Sequence, residues 1–121
     1  MNIVLLRGRL SSEPRSRVLP SGSRLVSYEV TTDISAGRRS SVPVVWFDPP
    51  RATPELTAED EVLVAGEVQR RFFRTGGVTQ SRTQVVATRI VPVRRAAQAR
   101  RVVAALAASL EAAGEAIARG R

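Results

Sequence analysis

Arg70-Arg71-Phe72-Phe73-Arg74 places three guanidinium groups and two flat rings in five consecutive residues, just before Gly76-Gly77. A guanidinium forks onto phosphate oxygens, and an aromatic ring is a platform on which a base can stack. The run therefore holds both groups needed to grip a nucleic-acid strand without reading its sequence. On an extended backbone alternate side chains share a face, so Arg71 goes with Phe73, and Phe72 with Arg74. Two adjacent rings cannot both be core in a strand buried on one side, which leaves one of them free to act. Arg70 and Arg74 complete the candidate cations here. Arg38-Arg39, in an upstream turn, are candidate phosphate contacts, although a solvated loop pair fits them equally well. Arg7, Arg9, Arg82 and Arg89 fall on strands whose register decides whether they join the site.

Other chemistries are harder to build. Histidine and cysteine are both absent, which removes the commonest general base, the commonest metal ligand and every Ser/His or Cys/His nucleophile. Glu59-Asp60-Glu61 is the densest acidic stretch. Successive side chains diverge and no further group converges on them, so neither a metal site nor an acid/base pair is expected. The chain is expected to catalyse nothing and to carry no metal or cofactor.

The charge has a shape. All 19 basic residues are arginine, and the net charge is +8. Residues 62–101 hold nine arginines against Glu67 alone, whereas residues 48–61 hold Arg51 against five acids. A small domain with a positive field so concentrated favours an anionic partner, nucleic acid first.

The elements that must position these groups follow from pattern. At 121 residues the chain is one domain long. No apolar run approaches the length of a membrane helix and Arg7 comes too early for a signal peptide, so a cytoplasmic protein is expected, with no membrane partner. Strands are expected over residues 2–10, 24–32, 41–47, 61–73 and 78–93, where Val, Ile and Leu recur or alternate with polar residues. Residues 11–23, with two prolines, read as a loop or long hairpin connection. Residues 48–60, with Pro49, Pro50 and Pro54, read as a connection that could carry one helical turn. Five strands at this spacing suggest a sandwich or a small closed barrel, and Gly66 inside a strand suits a barrel corner. Residues 96–118 change character: Val102, Leu106, Leu110, Ala113 and Ile117 recur at helical spacing in an alanine-rich stretch. Arg94, Arg95, Arg100 and Arg101 crowd its N-terminal end, where the helix dipole disfavours cations.

The ordered set of segments resembles the bacterial single-stranded DNA-binding protein family. Val4-Leu5-Leu6-Arg7-Gly8-Arg9-Leu10 resembles its first strand, and Pro14, Arg17 and Leu19-Pro20-Ser21-Gly22 the loop that follows. Val44-Val45-Trp46-Phe47 resembles its third strand. Val62-Leu63-Val64-Ala65-Gly66-Glu67-Val68, with Arg71 and Phe73, resembles its fourth. The likeness covers about residues 1–93 and is to an actinobacterial-type paralogue without the family's acidic C-terminal tail. It implies an all-β fold, a five-stranded OB-fold barrel over residues 1–93, with an added C-terminal α-helix and short basic tail over residues 94–121. It also implies a homo-oligomer (dimer or tetramer) that binds single-stranded DNA in replication, repair or recombination.

Phe73 matches a position where the family stacks a base. Phe47 matches another, though a one-residue shift would hand that role to Trp46, and only one of the two can face the groove. Two further aromatics common in the family are replaced here by Ser35-Ala36-Gly37-Arg38-Arg39 and Ser40-Ser41. Without the acidic tail, recruitment of repair enzymes is not expected. With few rings, binding must lean on arginine and depend strongly on salt. The other reading is a protein–protein assembly module built on the same fold, with the terminal helix as its surface.

Overall fold

Apolar side chains at every second position turn most of this chain into strands with one buried face. The computed structural model describes residues 1–120. Its elements are β1 (Val4–Leu10), β2 (Arg15–Val18), β3 (Arg24–Asp33), β4 (Arg39–Phe47), β5 (Glu61–Thr75), β6 (Val78–Pro92) and α1 (Ala96–Ala118). The fold is thus mostly β with a single C-terminal helix.

The strands run in the order β1-β5-β6-β4-β3-β2, and a further β1–β3 pairing closes five of them into an uneven ring. All contacts are antiparallel except the short β4–β6 contact, which is parallel. Val26, Tyr28 and Val30 of β3, Val44 and Trp46 of β4, Val62 and Val64 of β5, and Val85 and Ile90 of β6 fill the interior. Burial pushes the Tyr28 phenol up to about 12, so this ring is a neutral core group.

Two glycines make the closure possible. A Cβ on Gly8 would run into the Thr31 carbonyl where β1 crosses β3, and one on Gly66 would meet the Val86 carbonyl. Gly66 sits at a register shift in the β5–β6 ladder, an irregularity that bends a strand. Beyond that bend β5 and β6 continue as a long hairpin to the Gly76-Gly77 turn, and past Gln69 and Gln84 all of its side chains but that of Phe73 are exposed.

The structure departs from the sequence expectations at three places. β2 lies inside what reads as a loop; Arg15-Ser16-Arg17-Val18 shows no apolar alternation because this edge strand is exposed at every position. It is held by its backbone pairing to β3. Residues 48–60 hold no helix: backbone turns from Pro50 to Thr53 and from Thr57 to Asp60 carry the chain, and Leu56 plugs the core. Pro54 stops the turn begun at Pro50, because it has no N–H to donate to the Pro50 carbonyl and its ring would clash with it.

The third departure concerns α1. It occupies the expected residues, but only the start of its expected stripe is covered. Val102, with Ala99 and Leu106, packs on Leu63, Ala65 and Val91 on the outside of the ring. Leu110 and Ile117 are exposed and belong to neither apolar cluster. Among the described residues no helix is long and apolar enough to cross a membrane.

Candidate nucleic-acid interface

Residues paired across neighbouring strands point to the same side of a sheet, so the register alone assembles the candidate surface. On β2 and β3, Arg15 faces Ser27 and Arg17 faces Leu25. Across to β4, Ser27 faces Val45 and Leu25 faces Phe47. Val45 lies beside Val86 of β6. Two and four residues back along β6 are Gln84 and Arg82, which face Gln69 and Arg71 of β5; Gln80 faces Phe73. One outer face therefore carries Arg15, Arg17, Arg71 and Arg82, with Phe47 at one corner and Phe73 at the other. Counting residues along the strands separates the two rings by roughly 25 Å.

A cleft of about 560 Å³ runs between these groups, lined by all four arginines and by Ser27, Val45 and Gln84. Its floor is ordered by side-chain hydrogen bonds. Gln84 Nε2 donates to Gln69 Oε1 at 3.0 Å. Glu29 accepts from Arg82 Nη2 at 3.3 Å and from Ser41 Oγ at 3.0 Å. Arg71 and Arg82 stand directly opposite each other, a like-charge pairing that costs stability in a sheet. An anion between them would relieve that repulsion. A larger cleft of about 860 Å³ lies at the proline-rich loop. It is lined by Glu13, Asp48 and Glu55 against Arg24 and Arg51, so it has no surplus of positive charge.

The expected site residues divide between this face and elsewhere. Phe47 is 47% exposed on the cleft side while Trp46 is 6% exposed inside the ring; the alternation of β4 separates them. Arg71 and Phe73 share the cleft face, Phe73 half-buried. Arg70 and Phe72 lie on the reverse of the hairpin. There the Arg70 guanidinium sits 5.7 Å from the Phe72 ring centroid and donates to Ser81 Oγ at 3.1 Å. Arg74 donates to the Gly77 carbonyl at 3.2 Å and so braces the hairpin turn.

Arg38 folds back on Ser35, with both contacts at 3.4 Å. Arg39 lies on the cleft side of β4 but beyond it, engaged with Asp33 at 3.7 Å. The structure thus brings Arg71, Phe73 and Phe47 to one face, leaves Arg70, Arg74 and Arg38 off it, and sets Arg39 on that side but outside the cleft. It adds Arg15, Arg17 and Arg82. The signal for the first two was their spacing of two residues, obscured by the prolines that flank them.

The acidic stretch is consumed by structure. The Thr57 backbone N–H, together with Arg94 at 3.2 Å, holds the Asp60 carboxyl below the usual range. The hydrogen bond from Arg7 does the same for Glu61. Arg9 donates to the Glu59 carbonyl at 3.3 Å. These arginines on and beside β1 are therefore committed locally, in contrast to Arg15, Arg17 and Arg71.

No family model matches this chain, and no curated protein matches it.

Proposed function

We propose that this chain binds single-stranded DNA, largely without sequence preference and without catalysis, on the face that carries Arg15, Arg17, Arg71 and Arg82 between Phe47 and Phe73. The observation that carries this reading is the register that gathers four cations and two outward rings on one sheet surface. Of the five aromatics in the chain, Tyr28 and Trp46 build the core. An outward ring on a positively charged face has little to contribute to a soluble domain unless a flat group stacks on it. Bases in a duplex are already stacked, whereas a single strand can turn its bases toward Phe47 and Phe73 while its phosphates follow the arginines.

We read the ring as the five-stranded OB-type barrel of the single-stranded DNA-binding protein family, a Greek-key closure in which non-sequential strands meet. The parallel β4–β6 contact and the β1–β3 closure support that reading. The segments that resemble the family's strands coincide with β1, β4 and β5. On this reading the protein works in the cytoplasm, in replication, repair or recombination, and its binding site spans on the order of 4–16 nucleotides.

The test is fluorescence anisotropy of a labelled oligo-dT titrated with protein over a salt series, against a duplex control. The expected result is a clear preference for the single strand that weakens steeply as salt rises, because each phosphate contact releases a counterion. Equal or stronger binding to duplex would overturn the reading and leave an assembly module in its place.

A further inference from the structure

α1 packs its apolar side chains on the ring through its first half, at Ala99, Val102 and Leu106. The neighbouring face of the same helix is apolar to its end. Val103, Ala107, Leu110, Gly114 and Ile117 follow one another at alternating steps of four and three residues, which is the spacing of a coiled-coil seam. All five are exposed, with Val103 at 45%, Leu110 at 52% and Ile117 at 67%. Gly114 is a poor helix former in the middle of a helix. Among the described residues, nothing beyond the helix's own neighbouring backbone comes within 4 Å of where its Cβ would stand, so the fold of one copy does not require a glycine there.

We propose that this seam pairs with the same seam of a second copy of the chain, in antiparallel orientation. The seam is complementary to itself only that way round. Setting Val103 against Gly114 of the second copy also sets Ala107 against its Leu110, so the four layers these residues form each match a large side chain to a small one, and Ile117 falls beside the aliphatic stem of Arg100. A parallel pairing in register would put glycine against glycine and alanine against alanine, and leave gaps between the helices.

Charge selects the same orientation. Arg94, Arg95, Arg100 and Arg101 stand at the start of α1, and Glu111 and Glu115 in its later half. The antiparallel register brings Arg101 within one residue of the level of Glu115 on the second copy, whereas a parallel pair would stack all the arginines of one copy beside those of the other. It also sets the two helix dipoles head to tail. Arg101, out of place near the N-terminus of an isolated helix, then gains a carboxylate, while Arg94 is already held by Asp60 of its own chain.

The experiment is sedimentation equilibrium of the full chain over a concentration series, beside the double variant Val103→Glu, Leu110→Glu. Both side chains lie outside the core clusters, so the ring persists, and circular dichroism in the β region verifies it. The expected result is that the assembled mass of the unsubstituted chain falls by half in the variant. An unsubstituted chain that is monomeric throughout, or a mass the variant leaves unchanged, overturns the proposal. Orientation is read by disulfide trapping, which the absence of native cysteine makes clean.

A mixture of Val103→Cys and Gly114→Cys chains should oxidise to a covalent dimer. Neither chain should do so alone, because like positions stand about 16 Å apart in this register. Self-linking of either single variant, or no linking in the mixture, overturns it. None of these readouts involves DNA, so they stand or fall separately from the proposed function.

Discussion

Phe73 and Arg71 share a strand face but supply different physics, and substitution separates them. A stacked base is worth ~1–3 kcal/mol, so Phe73→Ala should weaken oligo-dT binding roughly 5- to 150-fold with little change in the slope of affinity against salt. Arg71→Ala should instead flatten that slope by about 0.7, the contribution of one released counterion on a single strand. Glu29 works in the other direction. It holds Arg82 at 3.3 Å inside the cleft, and this half-exposed pair adds little stability of its own. Glu29→Gln should therefore raise affinity a few-fold at low salt by freeing a cation. The same anisotropy titration reads all three. A Phe73 variant that binds as well as the parent, or a Glu29 variant that binds worse, would place the strand somewhere else.

At the scale of elements, the junction between ring and helix rests on titratable groups. Arg94 ties the start of α1 to Asp60 ahead of β5, and Arg7 of β1 ties down Glu61 at the start of β5. Both carboxyls are held below their ordinary values, 3.8 for Asp60 and 4.5 for Glu61. A carboxyl depressed in the folded state adds stability above its unfolded value and loses it as pH falls through the folded value. Urea unfolding midpoints should accordingly be steady near neutrality and fall on acidification through and below that range. Asp60→Asn should lower the neutral midpoint and flatten the acid limb; an acid limb unchanged by the substitution would remove this junction from the account.

How far the elements could be read in the sequence depended on where their information lies. α1 was legible to its ends because helical spacing is a local signal. β1 and β3 to β6 were legible because each buries a face, and alternation records burial. β2 was not, since all four of its residues are exposed and only pairing to β3 makes them a strand. The site suffered the same limit. Arg71 and Phe73 could be placed together by local alternation, and Phe47 only as one of two alternatives. That Arg15, Arg17 and Arg82 join them depends on register between strands far apart in sequence. Arg70 and Arg74 stood beside Arg71 as candidate cations although alternation already set Arg74 on the other face; the structure turns Arg70 to that reverse face too and draws Arg74 onto the hairpin turn.

On the scale of the whole molecule, the strand-binding face and the helix seam are separate surfaces with different composition. One is arginine with two rings, the other valine, leucine and isoleucine spaced by alanine and glycine. Joining two copies through the seam would present two binding faces to one strand, so that the second engagement is intramolecular and benefits from a high effective concentration. That suits a face with only two stacking rings. The central claim is that single-stranded DNA lies across the cleft between Phe47 and Phe73. The most direct measurement is a ¹H–¹⁵N correlation spectrum of the labelled protein, followed as oligo-dT is added. The amides expected to move are those of β2, the outer positions of β3 and β4, and the Gln69–Phe73 and Gln80–Gln84 segments of the hairpin, while those around Leu110 and Ile117 stay still. Movement concentrated on α1, or on the proline-rich loop after Phe47, with the cleft unmoved, would contradict it.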